Sequence, residues 1–282
     1  MTGEDAEHLR IDCGDGLRLH AAVSGNGPAL VMLHGFTGSE STWKPFRPTF
    51  AASHTVVAID LPGHGRSSVP DDPGRYGLSR FADDLATVLD ELEIDSATIL
   101  GYSMGARAAM RFAATNHELV AGLILESASP GISGEPDRAE RRLADCALAD
   151  SIERDGIGAF VDHWESLSLW DSQRSLSDET RAALRTQRLS GDPNGLANSL
   201  RGAGAGVDEP VVDQLGELNV PALLIAGELD AKYVQNATTL AAALPDARLV
   251  IVPGAGHAVH LERPVDFERE VLVFLSDPAR PR

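Results

Sequence analysis

"SATILGYSMGARAAMRFA", residues 96–113, divides into three pieces. "ATIL" is a short apolar run of the kind that fills a strand buried on both faces. "ARAAMRFA" is rich in alanine and arginine, which favour helix. Between them Gly101-Tyr102-Ser103-Met104-Gly105 spells G-x-S-x-G. Glycines on both sides of the serine allow a sharp strand-to-helix turn. The Ser103 hydroxyl is then presented at the strand's C-terminal end, against a helix N-terminus that favours negative charge. The bland alternative is a plain strand–helix turn.

The same texture repeats outward from this segment. "ALVMLHG" (29–35), "TVVAIDLPGHG" (55–65), "VAGLILESA" (120–128), "VPALLIAGELD" (220–230) and "ARLVIVPGAGH" (247–257) each run apolar and end in turn residues. Helical spacing marks 78–94 and the closing "RPVDFEREVLVFLSD". "LRIDCGDGLRLHAAVS" reads as two strands joined by a Gly-Asp-Gly turn. From 131 to 207 the buried-strand runs stop, and helical segments rich in Arg, Asp, Glu, Leu and Trp replace them. The expectation is one doubly wound α/β domain with a mostly parallel sheet. Its core comprises 1–130 and 208–282, and a helical lid, 131–207, is inserted after the sixth strand.

With 282 residues the chain can bury a substantial core, and its net charge of −18 argues against nucleic acid or an anionic membrane as partner. No apolar run approaches a membrane span, and the acidic start "MTGEDAEHLR" lacks a secretion signal's pattern, so a cytoplasmic protein is expected. Cys13 and Cys146 make no metal-ligand spacing and read as reduced thiols. Lys44 and Lys232 are the only lysines. Any cluster of arginine on so acidic a background therefore asks for a reason.

A reactive serine needs a base, and the base needs an orienting acid. When the serine sits on such a turn the chain order is serine, acid, histidine. Asp230, ending "LLIAGELD", and His257, in "PGAGH", fill that order. Glu126 is the rival acid and His260 the rival histidine; His163 lies in the lid. Two backbone N–H groups would hold a developing oxyanion, those of Met104 and of Phe36 in "HGFTG". His34 and His64 read as structural turn residues.

"HGFTG", "DLPGHGRS", "GYSMG", "AGELD" and "PGAGH" together resemble the α/β-hydrolase superfamily across nearly all of the chain. The resemblance implies its fold and a Ser103–His257–Asp230 triad. Dehalogenases and epoxide hydrolases of that superfamily carry aspartate at the nucleophile position, which Ser103 speaks against.

Arg107 follows Ser103 by four residues and so shares its helix face. A guanidinium there would hold an anionic substrate, unless it snorkels away. In the lid Arg138, Arg141 and Arg142 cluster, and Arg181, Arg185 and Arg188 form a helical stripe. Most belong to surface ion pairs, with one of each group left to point inward. Trp164 and Trp170 either wall the pocket or pack the lid on the core.

A narrower resemblance covers "GYSMGAR", "LESASPGI", "ERRLADCALA", "HWESLSLW", "QRLSGDPNGLANSLRGAGAG" and "AGELDAKY". These look like the 2-succinyl-6-hydroxy-2,4-cyclohexadiene-1-carboxylate (SHCHC) synthases of menaquinone biosynthesis. The resemblance implies that Tyr102, Arg107, Arg141, Trp164 and Arg188 line the site of a small tricarboxylate substrate. Arg142 and Arg185 remain alternatives to Arg141 and Arg188. It also implies pyruvate elimination with Ser103 as base, and no metal or organic cofactor. Ala106 departs from the family's usual glycine, and "RGAGAG" lacks a threonine usual before its last glycine. A serine hydrolase acting on an acidic substrate, and a non-enzymatic module on the same fold, are the competing readings. A monomer or small homo-oligomer is expected.

Overall fold

The computed structural model describes residues 6–277, so the first five residues of the acidic N-terminal stretch lie outside it. The strands are β1 (Glu7–Asp12), β2 (Arg18–Ser24), β3 (Ala29–Leu33), β4 (Thr55–Ile59), β5 (Ala97–Tyr102), β6 (Val120–Glu126), β7 (Ala222–Gly227) and β8 (Ala247–Val252). They form one eight-stranded sheet in the order β1-β2-β4-β3-β5-β6-β7-β8. β2 pairs antiparallel with β1 and β4; every other pairing is parallel. The Gly-Asp-Gly turn joins β1 to β2 as expected, with positive φ at Gly14, Asp15 and Gly16.

Helices cover both faces. α1 (Arg47–Phe50), α2 (Leu78–Glu91), α3 (Met104–Thr115), α4 (Glu135–Ser166), α5 (Asp178–Leu189), α6 (Pro193–Ala203), α7 (Val212–Leu215), α8 (Ala231–Ala243), α9 (Val259–Glu262) and α10 (Pro264–Leu275) follow in chain order. Alternate side chains of each strand go to opposite faces. Val31, Leu33, Val57 and Ile99 pack with Phe81 and Leu85 of α2, Ala109 and Phe112 of α3, and Leu240 of α8. Leu30, Met32, Leu100 and Ile124 pack with Trp43, Phe50 and the α10 residues Phe267, Val271 and Phe274.

The long helical insertion follows β6, as the sequence leads one to expect. α4 is two helices broken at Gly156, whose φ of 82° leaves the helical region. It packs on α6 through a small core of its own: Ala149, Ile152, Phe160 and Val161 against Leu196, Ala197 and Leu200, with Phe36 and Trp164 at its edge. A 3-10 turn, Ser168–Ser175, joins α4 to α5. The insertion thereby covers the C-terminal edge of the parallel strands, where β3, β5, β7 and β8 all discharge their loops. Such an edge is where α/β sheets place their ligands. Among the described residues no helix is long and apolar enough to cross a membrane, and neither cysteine is in a disulfide.

Candidate active site

The turn after β5 is held by close backbone contact. A Cβ on Gly101 would lie 2.3 Å from the Gly105 carbonyl oxygen, and one on Gly105 would lie 2.3 Å from that of Leu33. Only glycine lets α3 lie this close to β3 and β5. Ser103 itself takes φ 52°, ψ −105°, a strained conformation for a non-glycine residue. Its N–H donates to the Glu126 carbonyl at 2.9 Å, which pins the turn to β6.

His257 Nε2 lies 3.0 Å from Ser103 Oγ, and His257 Nδ1 lies 2.8 Å from Asp230 Oδ2. A carboxylate only accepts, so Nδ1 carries the proton and Nε2 is free to accept from the serine. Asp230 is fixed from its other side as the N-cap of α8, where Oδ1 accepts from the Tyr233 N–H at 3.3 Å. The loop bearing His257 is tied at several points. Ser127 Oγ donates to the His257 carbonyl at 2.7 Å, and Glu262 accepts from the N–H groups of Gly256 and Ala258 at 2.6 and 3.3 Å. Trp170 and Tyr233 both stand edge-on to the His257 ring, with centroids 5.5 and 4.3 Å away.

The rival acid and the rival histidine are paired with each other. Glu126 and His260 are buried, with His260 Nδ1 2.9 Å from both Glu126 oxygens and the His260 N–H donating to the same carboxylate at 3.0 Å. Tyr102 lies edge-on to His260 at 4.6 Å, and burial together with the Glu126 charge pushes its phenol well above the usual range. His163 is exposed. His34 bridges two loops, Nδ1 donating to the Gly35 carbonyl and Nε2 accepting from the Leu61 N–H. His64 is pushed down to about 3, chiefly by burial, and is neutral.

Met104 is the first residue of α3, where N–H groups have no intrahelical partner. Phe36 lies in the loop after β3, its ring edge-on to Trp164 at 5.4 Å and to Phe160 at 6.1 Å. A cleft runs from this loop past Tyr102 to Trp170, Gln173 and Arg188. Arg188 is 5% exposed; it stacks on Trp170 at 5.1 Å and donates to Glu165 at 3.0 Å. Burial holds its guanidinium below the usual range. Arg185 pairs with Asp162 and Glu165, and of these two arginines it is Arg188 that lines the cleft beside Tyr102.

Arg107 is placed differently. Its two terminal nitrogens donate to the Ala203 and Gly204 carbonyls at the end of α6, at 2.9 and 3.0 Å. Asp208 stands 4.0 Å away, and burial lowers the guanidinium. Arg107 thus holds the base of the insertion, in a recess shared with Met110, Ser129 and Asp208. Arg141 donates to Asp145 at 2.9 Å and is exposed, away from the cleft; the half-buried Arg142 reaches the Gly206 carbonyl and Glu135. Ser127, Glu262, Tyr233 and Gln173 escaped the reading of the sequence. Glu262 follows Gly256 by six residues in a recognisable turn, but nothing local links Ser127 to a histidine 130 positions away.

With this geometry established, comparison with known proteins gives the class first. The chain belongs to the α/β-hydrolase fold family, whose model matches residues 28–264. Within it the chain groups with the SHCHC synthases. A Bacillus subtilis (strain 168) protein assigned to that activity is 41% identical over 272 residues, covering 95% of this chain and 98% of its own length. The structure of MenH from S. aureus superposes with a TM-score of 0.85 at 36% identity, covering 92% of this chain and 97% of the other. A malate-bound thermophilic esterase from Thermogutta terrifontis gives 0.84 at 25% identity, covering 96% and 98%.

Proposed function

We propose that this chain eliminates pyruvate from 2-succinyl-5-enolpyruvyl-6-hydroxy-3-cyclohexene-1-carboxylate, giving SHCHC, as a cytoplasmic enzyme of menaquinone formation. The observation that carries the reading is the buried Arg188 joined through Trp170 to His257. A site for neutral esters has no use for a buried guanidinium one ring away from its histidine, even one shared with Glu165. The segment 131–207 acts as the lid in this account, over a core of 1–130 and 208–282.

The chemistry follows from the proton positions. His257, oriented by Asp230, takes the Ser103 proton, and the serine oxygen removes the ring proton next to the succinyl ketone. The enolate oxygen is received by the N–H groups of Phe36 and Met104. Charge then moves through the ring double bond and breaks the carbon–oxygen bond to the enolpyruvyl group. The leaving enolate takes up the proton from His257 and becomes pyruvate. Tyr102 and Trp164 wall the ring, and Arg188 holds a carboxylate. Arg107 and Arg141 serve a second carboxylate once Arg107 releases the α6 carbonyls. The reaction runs on proton transfer and hydrogen bonding alone.

A second reading is favoured by the malate-bound esterase fold, which accommodates an acid on a similar frame: a serine hydrolase of acidic esters, with Ser103 as acyl acceptor. The test supplies enzymatically generated precursor and follows pyruvate. Release well above the unaided rate, lost in Ser103→Ala, supports the lyase. Release at background with efficient ester turnover selects the hydrolase.

A further inference from the structure

Among the described residues, several buried polar atoms without a hydrogen-bond partner lie on the cleft or against its wall. Four of them lie there: Nε1 of Trp164, Nε1 of Trp170, Nε2 of Gln173 and Nε of Arg188. All four are donors. Gln173 and Arg188 are each 5% exposed and Trp170 9%. Buried donors are almost always paired in folded proteins, so a group of them around one guanidinium asks for an acceptor from outside the chain.

The orientation of Gln173 is dictated by its neighbour. Its carbonyl oxygen accepts from Arg188 Nη2 at 3.4 Å. Flipping the amide would face its NH2 to the guanidinium, donor against donor. The NH2 group is therefore directed away from Arg188 and left unpaired. Gln173, Trp170, Leu184 and Arg188 border two adjoining clefts, one continuous with Phe36 and Tyr102, the other beneath α5 beside Glu165. The one carboxylate on the second cleft, Glu165, is already taken by Arg185 and Arg188.

We propose that Gln173 binds a substrate carboxylate directly, its amide N–H joining Arg188 and the Trp170 indole N–H in a carboxylate subsite under the lid. The planar pair of acceptor oxygens on a carboxylate satisfies donors that the protein leaves open, and the guanidinium supplies the charge. That the ligand is the tricarboxylate precursor rests on the lyase reading; the carboxylate chemistry of the subsite does not.

Succinate is the probe, titrated against the full chain while tryptophan fluorescence is followed, since Trp164 and Trp170 flank the subsite. Wild type gives a saturable change. Gln173→Met, which keeps length and loses the N–H donors, weakens succinate by about tenfold, the scale of a hydrogen bond to a charged group. Gln173→Glu, which sets a like charge in the subsite, abolishes it. With the precursor, Gln173→Met raises KM about tenfold while kcat and hydrolysis of a neutral nitrophenyl ester hold, a split that a folding defect would not give. Gln173→Met binding succinate as wild type does, or wild type showing no saturable response, overturns the proposal. Failure of the lyase reading shows separately, as pyruvate release at background while succinate binding still depends on Gln173.

Discussion

Ser103 combines a positive φ of 52° with a hydrogen bond to His257, so its backbone is strained where its side chain is used. Such strain costs about 1–3 kcal/mol and persists because β6, through the Glu126 carbonyl, over-determines the turn. Ser103→Gly should therefore raise the thermal midpoint while removing activity; a lowered midpoint would show that no strain is stored there. Arg107→Ala should reduce pyruvate release far more than hydrolysis of a neutral ester. Equal loss of both would confine Arg107 to its bonds with the α6 carbonyls. His64 gives a prediction in pH. Its folded pKa, about 3, lies below the ordinary 6.5, so the unfolded chain binds the proton first as pH falls. Its contribution is thus present above pH 6.5 and lost progressively toward pH 3, reaching about 3 kcal/mol at pH 4. His64→Phe should flatten that part of the midpoint–pH curve, and an unchanged curve would contradict the assignment. That Ser103, Asp230 and His257 come together was legible in the sequence because each follows a strand in a fixed chain order. Which arginine faces inward was not: spacing places Arg185 and Arg188 on one stripe, but helix rotation and the partners Asp162 and Glu165 decide between them.

At the scale of elements, the close approach of α3 to β3 and β5 depends on Gly101 and Gly105. Gly105→Ala would drive its methyl to 2.3 Å from the Leu33 carbonyl oxygen. Backbone, unlike a side-chain end, cannot yield there, so the variant should lose several kcal/mol of stability and misplace Ser103; chemical denaturation measures the first, and near-wild-type stability would refute the packing argument. Ala106 is fully buried among α3 and sheet residues. Close packing at the turn is thus carried by the two flanking glycines. The strands and the helices of the sheet core were readable from apolar runs and period. The 3-10 turn Ser168–Ser175 was not, although it delivers Trp170 and Gln173. A short run with three-residue spacing has no pattern that separates it from a loop, and its position is set by contact with the His257 loop.

Over the whole molecule, the proposed reaction asks an acidic protein to capture an anion. With a net charge of −18, the long-range field would oppose the proposed trianionic substrate, and the site arginines, Arg188 first among them, would attract it at short range. Screening removes the first effect before the second, so kcat/KM should rise as salt goes from about 10 to 150 mM. A steady fall would mean that the arginines already dominate at a distance. The insertion packs over the site, with Trp170 edge-on to His257 and Arg107 bonded to the end of α6. In the proposed reaction Ser103, beneath the insertion, removes a ring proton and makes no acyl-enzyme. Its most direct test is the single-turnover rate of pyruvate release from precursor deuterated at the ring carbon next to the succinyl ketone. Slower release than from the protiated compound, with no covalent adduct on Ser103 by intact mass, is the predicted result. Equal rates with an acyl adduct on Ser103 would contradict it.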